Sequence, residues 1–309
     1  MAGPLLLLEP RARRVRLARL VLCVIAAVLP ASGQPAPARP IVAGGVFTYE
    51  VKRGDSLSLI GAQYGVDAAA LARQNARALH DVLRPGEQLR IDNRHLAPAG
   101  AGATIIINIP QRHLFLFGRD GALRAHYPVG LGRPDWQTPV GAFEVTELER
   151  DPTWDVPKSI QEEMRREGKP VIRRIPPCPE NPLGRYWLRL SIGGIGIHGT
   201  NAPASVYTFQ THGCVRLHPN DVEELFGMVS QGERGQLVYE PALLAQLPDG
   251  RVFAEVHRDV YRRSPPAVVI LRELAQGSGL IDEVDWSRVV AVADLADGIA
   301  TDVTRESSR

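Results

Sequence analysis

The sequence predicts a mainly β fold with short helices, in which a small β-α-α-β module precedes an antiparallel β-sandwich or partly closed barrel. The 309 residues are 44% hydrophobic and 23% charged, which is typical of a globular chain with about two domains. Two helical patterns stand between two strand patterns in residues 47–92. From residue 104 onward, short apolar runs alternate with turns containing glycine and proline, which indicates many short strands.

The first 33 residues have the three parts of a secretory signal peptide. Basic residues precede the apolar run Leu20–Leu29, and Pro30 and three small residues follow it. The run has about ten residues, whereas a helix that spans a membrane needs about 20. We therefore expect residues 1–33 to be cleaved on export, with no membrane attachment afterwards, and residues 34–46 to form a linker.

The charge of the chain gives no reason to expect a nucleic-acid partner. The formal net charge is +2, but five of the arginines lie in the first 33 residues. Without that segment the chain is nearly neutral. Binding to nucleic acid depends on an excess of positive charge, which the predicted mature chain lacks.

The module at residues 47–92 is predicted from alternation, capping and turn signals. An apolar alternation predicts the first strand, and Pro85-Gly86 predicts a turn before the last one. The predicted elements are, in order, a strand from Phe47 to Val51, a helix capped by Asp55, a helix capped by Asp67 that ends near Asn75, and a strand from Gln88 to Ile91.

This module resembles the LysM domain. The positions that carry the resemblance are Tyr49, Val51, Gly54-Asp55-Ser56-Leu57, Ile60, Tyr64-Gly65-Val66, Leu71, Asn75, Leu83, Pro85-Gly86 and Leu89. The resemblance implies binding to glycans that contain N-acetylglucosamine, and in an exported bacterial protein to peptidoglycan. The candidate glycan contacts are Gly54, Asp55, Ser56 and Asn75, each of which can instead be a cap or turn residue.

Residues 104–240 are predicted to form the second, larger domain. Its predicted strands are Ile105–Ile109, His113–Phe117, Leu123–Pro128, Gly141–Leu148, Tyr186–Ser191 and Gln236–Tyr239. Two helices are predicted among them, Ser159–Glu167 and Asp221–Val229, the second with Asn220 and Glu223 in capping-box spacing. The tail, residues 241–309, has a predicted strand Arg251–Val256 and two amphipathic stretches, Val268–Ala275 and Trp286–Leu295, and we expect it to pack on the domain of residues 104–240.

One cysteine of the second domain stands among residues suited to nucleophilic catalysis. Cys214 follows His212-Gly213, and His198 lies upstream. A thiol attacks a carbonyl as thiolate, so it needs a base such as His198 or His212 beside it. Glycine at position 213 lets backbone N–H groups approach a developing oxyanion. The alternative is a buried structural cysteine with structural histidines.

The full motif resembles the L,D-transpeptidase family with the YkuD-type catalytic domain. The residues that carry the resemblance are His198-Gly199-Thr200 and Thr211-His212-Gly213-Cys214-Val215-Arg216. The family pattern implies that Cys214 is the nucleophile and His198 its base. It also implies that the Gly199 carbonyl orients the imidazole, and that the N–H groups of Gly213 and Cys214 hold the oxyanion.

The resemblance implies further residues at the substrate and no cofactor or metal. Arg216 is expected to anchor a substrate carboxylate or to brace the loop through a buried ion pair, and both readings stay open. His212 is expected to shape the pocket. Thr200 and Thr211 are expected to contact substrate beside it.

The implied reaction is an acyl transfer on peptidoglycan in the periplasm or cell envelope, with a role in cell-wall biogenesis and cell shape. Cys214 attacks the L,D-bond of a tetrapeptide stem, D-alanine leaves, and an amine resolves the thioester. The amine belongs to another stem, which gives a 3→3 crosslink, or to a lysine of an envelope lipoprotein. Water in place of the amine would make the protein an L,D-carboxypeptidase.

Three other functions fit parts of the sequence. In a papain-like peptidoglycan endopeptidase the cysteine precedes its histidine and opens a helix, which is not the order here. A zinc hydrolase would use His198, His212, Cys214 and His218, but no His-Glu-x-x-His motif is present. A noncatalytic wall-binding protein would have an inert cysteine. Whether Cys178 pairs with Cys214 in an oxidising compartment stays open.

Overall fold

The computed structural model describes Met1 and residues 41–98 and 102–306. The predicted signal peptide, apart from Met1, and most of the predicted linker therefore lie outside the described residues. Within the described ranges, no helix is both long and apolar enough to cross a membrane.

The first module is a two-stranded sheet covered by two helices. Its elements are β1 (Val42–Ala43), β2 (Val46–Glu50), α1 (Leu57–Tyr64), α2 (Ala68–Gln74), β3 (Gln88–Asp92) and β4 (His95–Leu96). Strands β2 and β3 pair antiparallel with Tyr49 opposite Leu89, and β1 pairs with β4. The helices bury Leu71 against the completely buried Leu89 and Ile91 of β3.

The first helix begins one residue later than predicted. Its N-cap is Ser56, whose Oγ accepts a hydrogen bond from the Leu59 N–H at 3.2 Å. The predicted cap, Asp55, instead accepts hydrogen bonds from the Tyr49 hydroxyl and the Lys52 N–H. The carboxylate is thus used to close the turn before the helix. Gly65 ends the helix with a φ of 71°, in the left-handed region.

The second domain is built on one curled sheet of eight strands. Its elements, in chain order, are β5 (Ile105–Asn108), β6 (His113–Phe117), β7 (Leu123–Pro128), β8 (Leu131–Gly132), β9 (Gly141–Arg150), β10 (Trp154–Asp155), α3 (Lys158–Arg166), β11 (Arg174–Ile175), β12 (Tyr186–Leu190), β13 (Gly196–His198), a 3₁₀ turn (Pro203–Ser205), β14 (Phe209–Thr211), β15 (Val215–Arg216), α4 (Pro219–Met228) and β16 (Arg234–Val238). The order in the large sheet is β15-β13-β12-β9-β16-β5-β6-β7. The mainly β class with short helices is confirmed.

The sheet is mixed, whereas the sequence predicted an antiparallel one. Strand β13 lies parallel to β15, and β16 lies parallel to β5. Parallel neighbours need crossover connections, and the strand signals alone do not reveal which strands these connections join. The two ends of the sheet approach each other where Gly130 bridges to Arg216. The sheet therefore curls into a partly closed barrel around buried residues such as Leu131, Ile197 and Val215.

The tail adds a small sheet and two helices. Its elements are β17 (Ala242–Gln246), β18 (Val252–Val256), α5 (Ala267–Gly277), α6 (Trp286–Leu295) and β19 (Thr301–Asp302). Strand β18 lies between β17 and β19. The tail reaches other parts of the chain: Tyr261, for example, joins the core of the large sheet, and Ile299 joins the core of the first module.

A buried polar network joins the first module, the large sheet and the tail. Glu255 of β18 is completely buried and accepts hydrogen bonds from His257 at 2.6 Å and Gln111 at 2.9 Å. Its Oε1 also lies 2.9 Å from Nδ1 of His95, whose Nε2 lies 3.0 Å from the carbonyl oxygen of Gly65. The His95 ring therefore lies between Glu255 of the tail and Gly65 of the first module.

Candidate active site

Cys214 lies in the turn between β14 and β15, at the edge of the large sheet. Its side chain is partly exposed, and its Sγ lies 3.7 Å from the carbonyl oxygen of Gly194. In the parallel pair of β13 and β15, Val215 stands opposite Ile197 and Arg216 opposite His198. The register therefore brings His198 to the strand beside Cys214.

The His198 ring is buried and held in one tautomer. It is 4% exposed, and its Nδ1 lies 2.6 Å from the carbonyl oxygen of Gly199. A carbonyl oxygen only accepts hydrogen bonds, so Nδ1 carries the proton and Nε2 has a free lone pair. Burial, and next the nearby charge of Arg216, lower the pKa of His198 to about 3. The ring is thus a neutral base at physiological pH.

The thiol of Cys214 is also neutral at rest. Burial raises the pKa of Cys214, while a hydrogen bond from the Gly196 backbone and the charge of Arg216 act in the opposite direction. A raised thiol pKa beside a lowered imidazole pKa means that neither partner is charged near pH 7. The arrangement therefore suits proton transfer to His198 during attack, rather than a preformed thiolate–imidazolium pair.

The loop before Cys214 is held by the Thr211 hydroxyl. Thr211 Oγ1 accepts a hydrogen bond from the Gly213 N–H at 3.2 Å and donates one to the Cys214 carbonyl at 2.7 Å. Thr211 is 3% exposed, so its predicted contact with substrate has no support here. The Gly213 N–H, predicted to hold an oxyanion, is engaged inside the loop. Within the described residues the Cys214 N–H donates no hydrogen bond.

Thr200 is likewise used inside its own turn. Its side chain is buried, and Oγ1 accepts a hydrogen bond from the Ala202 N–H at 2.9 Å. The hydroxyl shapes the chain that follows His198. The predicted contact of Thr200 with substrate therefore has no support here.

Arg216 is a half-buried cation that has no acidic partner among the described residues. Its Nη1 donates a hydrogen bond to Ser205 Oγ at 2.8 Å, and its buried Nε has no partner in the described part of the chain. No carboxylate of the described residues forms a salt bridge with it, in contrast to the ion pair considered from sequence. An unneutralised guanidinium next to Cys214 suits a carboxylate of the substrate.

His212 is tied to an acid that the sequence did not single out. Its Nε2 lies 2.5 Å from Oε2 of Glu163 in α3, and Arg133 donates to the other oxygen of Glu163 at 2.6 Å. Arg133 first, and His212 next, lower the pKa of Glu163, so the carboxylate is charged. The rings of Trp136 and His212 pack edge to face, with their centroids 4.6 Å apart. His212 therefore connects α3 to the loop of Cys214.

Most of the four candidate glycan contacts of the first module already use their polar groups inside the module. Asn75 uses its amide inside the module, bonding to Leu71 O, Arg90 O and the Arg90 N–H at 2.7–2.9 Å. Asp55 and Ser56 are used in the turn and cap described above. Gly54 has a φ of 90°, which favours glycine, and a Cβ there would meet no atom within 4 Å.

The described residues contain one group with the composition of a metal site, formed by His95, Glu255 and His257. Their ring nitrogens lie 2.6 and 2.9 Å from Glu255 Oε1. Ligands of a tetrahedral zinc with bonds of about 2.1 Å stand about 3.4 Å apart, so hydrogen bonding explains the spacing better. The four residues of the zinc-hydrolase alternative do not form such a group in the ranges that the structure describes.

Two family models match the chain, the L,D-transpeptidase catalytic domain over residues 102–239 and the LysM domain over residues 49–92. The probable L,D-transpeptidase YcfS of Escherichia coli is 28% identical, over 91% of this chain and 92% of that protein. The putative L,D-transpeptidase YkuD of Bacillus subtilis is 31% identical, over 61% of this chain and 97% of that protein. Among solved structures, L,D-transpeptidase 3 from Mycobacterium tuberculosis matches 69% of this chain and 98% of that chain, at 18% identity and a TM-score of 0.35.

Proposed function

The chain belongs to the L,D-transpeptidase family, and from that premise we propose that it is an exported enzyme that transfers peptidoglycan stem peptides through Cys214. The observation that carries this proposal is the tautomer of His198. Its Nδ1–H is held by the Gly199 carbonyl, so its basic Nε2 is free on the strand beside Cys214. The LysM domain, in this proposal, holds the enzyme on peptidoglycan and raises the local concentration of stems.

The first step of the proposed reaction releases D-alanine. His198 Nε2 takes the thiol proton as the Cys214 sulfur bonds to the carbonyl carbon of the L,D-bond. The Cys214 N–H stabilises the oxyanion, and Arg216 holds a carboxylate of the donor stem. The peptide C–N bond then breaks, and the D-alanine nitrogen takes the proton from His198.

The second step resolves the thioester. An acceptor amine attacks the acyl carbon, gives its proton to His198, and the sulfur leaves as the thiol of Cys214. The amine of a second stem gives a 3→3 crosslink, and a lysine of an envelope lipoprotein gives protein attachment. Water gives a tripeptide, which is the L,D-carboxypeptidase alternative.

Purified mature protein incubated with disaccharide tetrapeptides tests the proposal. Mass spectrometry is expected to find free D-alanine, an acyl-enzyme on Cys214 and crosslinked dimers. Cys214→Ala abolishes all three, whereas Cys178→Ala, at an exposed cysteine, leaves them unchanged. Tripeptides without dimers would favour the carboxypeptidase, and turnover by Cys214→Ala would refute the cysteine mechanism.

A further inference from the structure

A tyrosine from outside the matched catalytic domain bonds to the segment that supports the loop of Cys214. Tyr261 lies beyond residue 239, where the match ends, and is 6% exposed in the core of the large sheet. Its ring stacks on Tyr239 with centroids 5.5 Å apart. The chain around it is folded over Asp259, which accepts hydrogen bonds from the Tyr239 hydroxyl and the Arg263 and Ser264 N–H groups.

The Tyr261 hydroxyl joins two backbone groups next to Thr138. It donates to the Gly132 carbonyl at 2.5 Å and accepts from the Thr138 N–H at 3.2 Å. Burial raises the pKa of Tyr261, so the phenol keeps the proton that it donates. A phenylalanine ring would fill the same space but leave both backbone groups buried without this partner.

Thr138 connects Tyr261 to the peptide group that precedes Cys214. Its side chain is completely buried. Its Oγ1 accepts from the Gly132 N–H and donates to the Gly213 carbonyl, both at 2.9 Å. Tyr261 and Thr138 thus hold the same residue, Gly132, by its carbonyl and its N–H.

The Gly213 carbonyl and the Cys214 N–H belong to one planar peptide unit. In a trans peptide these two groups point in opposite directions, so fixing the carbonyl also fixes the direction of the N–H. Gly213 has a φ of 104°, which favours glycine, and a Cβ there would lie 3.1 Å from Ile195 Cδ1. The hydrogen bond from Thr138 therefore selects one orientation of a peptide that glycine leaves free to rotate.

We propose that Tyr261 is a positioning residue for acyl transfer: through Thr138 it holds the Gly213–Cys214 peptide so that the Cys214 N–H points at the developing oxyanion. The inference rests on the proposed function, in which Cys214 is the nucleophile. A donor aligned in advance stabilises the transition state more than the ground state. Its loss acts on acylation rather than on substrate binding.

The variant Tyr261→Phe tests this role on full-length mature protein. Removing one oxyanion donor outright lowers kcat by about 10² to 10³, and misalignment is expected to lower the kcat of D-alanine release by about 10 to 10², with KM unchanged. The matched control is Tyr186→Phe, in the same core at 3% exposure, which loses a hydroxyl bonded to Glu223. That control is expected to keep wild-type kcat.

Alkylation by iodoacetamide separates positioning from general damage. Alkylation by iodoacetamide forms no oxyanion. In Tyr261→Phe, Cys214 is therefore expected to be alkylated at the wild-type rate, while the rate of its acylation falls. A fall in both the alkylation rate and the acylation rate, or an unchanged kcat, overturns the proposal. A wild-type protein that releases no D-alanine instead refutes the proposed function, so the two failures are distinguishable.

A pair of variants at Thr138 keeps the test decisive if Tyr261→Phe does not fold. Thr138→Ser retains the hydroxyl and is expected to keep kcat within about threefold of wild type. Thr138→Val keeps the shape, loses the donor to Gly213, and is expected to show the acylation defect with normal alkylation. Equal activity of the two variants contradicts the inference.

Discussion

Asp67 of the LysM domain and Arg112 of the catalytic domain form an ion pair with two hydrogen bonds. Oδ1 and Oδ2 of Asp67 lie 3.1 and 2.9 Å from Nη1 and Nη2 of Arg112. Arg112 also donates to the Tyr207 carbonyl at 2.8 Å and stacks on the Tyr207 ring at 3.8 Å. The LysM domain therefore neutralises a cation that is buried in the catalytic domain.

This pairing predicts that the LysM domain cannot be removed without damage to the catalytic domain. Deleting residues 47–91 leaves Arg112 without its acid, so both the melting temperature and the turnover of soluble stems are expected to fall. Asp67→Asn is expected to lower the free energy of unfolding by about 1 to 3 kcal/mol. Asp81→Asn, at an exposed turn of the same module, is the matched control. Wild-type stability of the deleted protein would contradict the prediction.

The neutral state of Cys214 and His198 predicts a steep pH dependence of alkylation. The pKa of Cys214 is raised, so the thiolate fraction and the rate with iodoacetamide are expected to rise about tenfold per pH unit from pH 6 to 8. Cys178→Ser removes the exposed thiol and leaves Cys214 as the only cysteine after residue 33. A flat rate over this range would reveal a preformed thiolate–imidazolium pair.

The contact of Glu163 with His212 predicts that α3 supports the pocket. Glu163→Gln keeps the size of the side chain but removes the charge that Arg133 and His212 share. We expect kcat/KM on soluble tetrapeptide to fall about tenfold, the equivalent of one charge-assisted hydrogen bond. The control is Glu162→Gln, an exposed neighbour on the same helix, with wild-type kinetics expected. Similar losses in both variants would assign the effect to the charge of α3 in general.

Two buried histidines and one half-buried histidine predict that acid destabilises the fold at pH values well above the pKa of most carboxylates. Burial lowers the pKa of His113 and His257, and that of His126 to about 4. The unfolded chain binds protons below about pH 6.5 that the folded chain does not, so the free energy of unfolding falls as pH decreases. Each such group contributes up to about 1.4 kcal/mol per pH unit.

Urea unfolding at pH 7.5, 6 and 5 measures this dependence. His126→Phe removes one of the groups and is expected to flatten the curve, whereas His80→Gln, at an exposed site, leaves it unchanged. A free energy of unfolding that stays constant from pH 7.5 to 5 would show that these histidines titrate normally.

Local patterns predicted most of the elements, because each depends on a few neighbouring residues. The strand His113–Phe117 has its predicted bounds, and the amphipathic stretch Trp286–Leu295 forms a helix with the same bounds. The cap of α1 was misplaced by one residue because Asp55 and Ser56 are both good caps, and only the contact with Tyr49 decides between them.

The parts of the site that sequence reasoning missed depend on contacts between distant positions. Glu163 and His212 are 49 positions apart, and Thr138 and Tyr261 are 123 positions apart. Neither Glu163 nor Tyr261 belongs to a motif, and their role follows from the three-dimensional position of α3 and of the tail. The local sequence around a polar residue in a helix, or an aromatic residue in a loop, does not reveal which distant residue it will contact.

Ile299 of the tail packs in the LysM core, so that core is incomplete until the tail has been synthesised. Ile299 is 8% exposed there, Ala300 donates to the Arg94 carbonyl at 2.8 Å, and Asp297 pairs with Arg73 of α2. The module leaves the ribosome before the tail, yet its core is completed by a tail residue. A nascent chain that has not yet reached Ile299 therefore has an incomplete LysM core, with apolar surface exposed to chaperones and proteases.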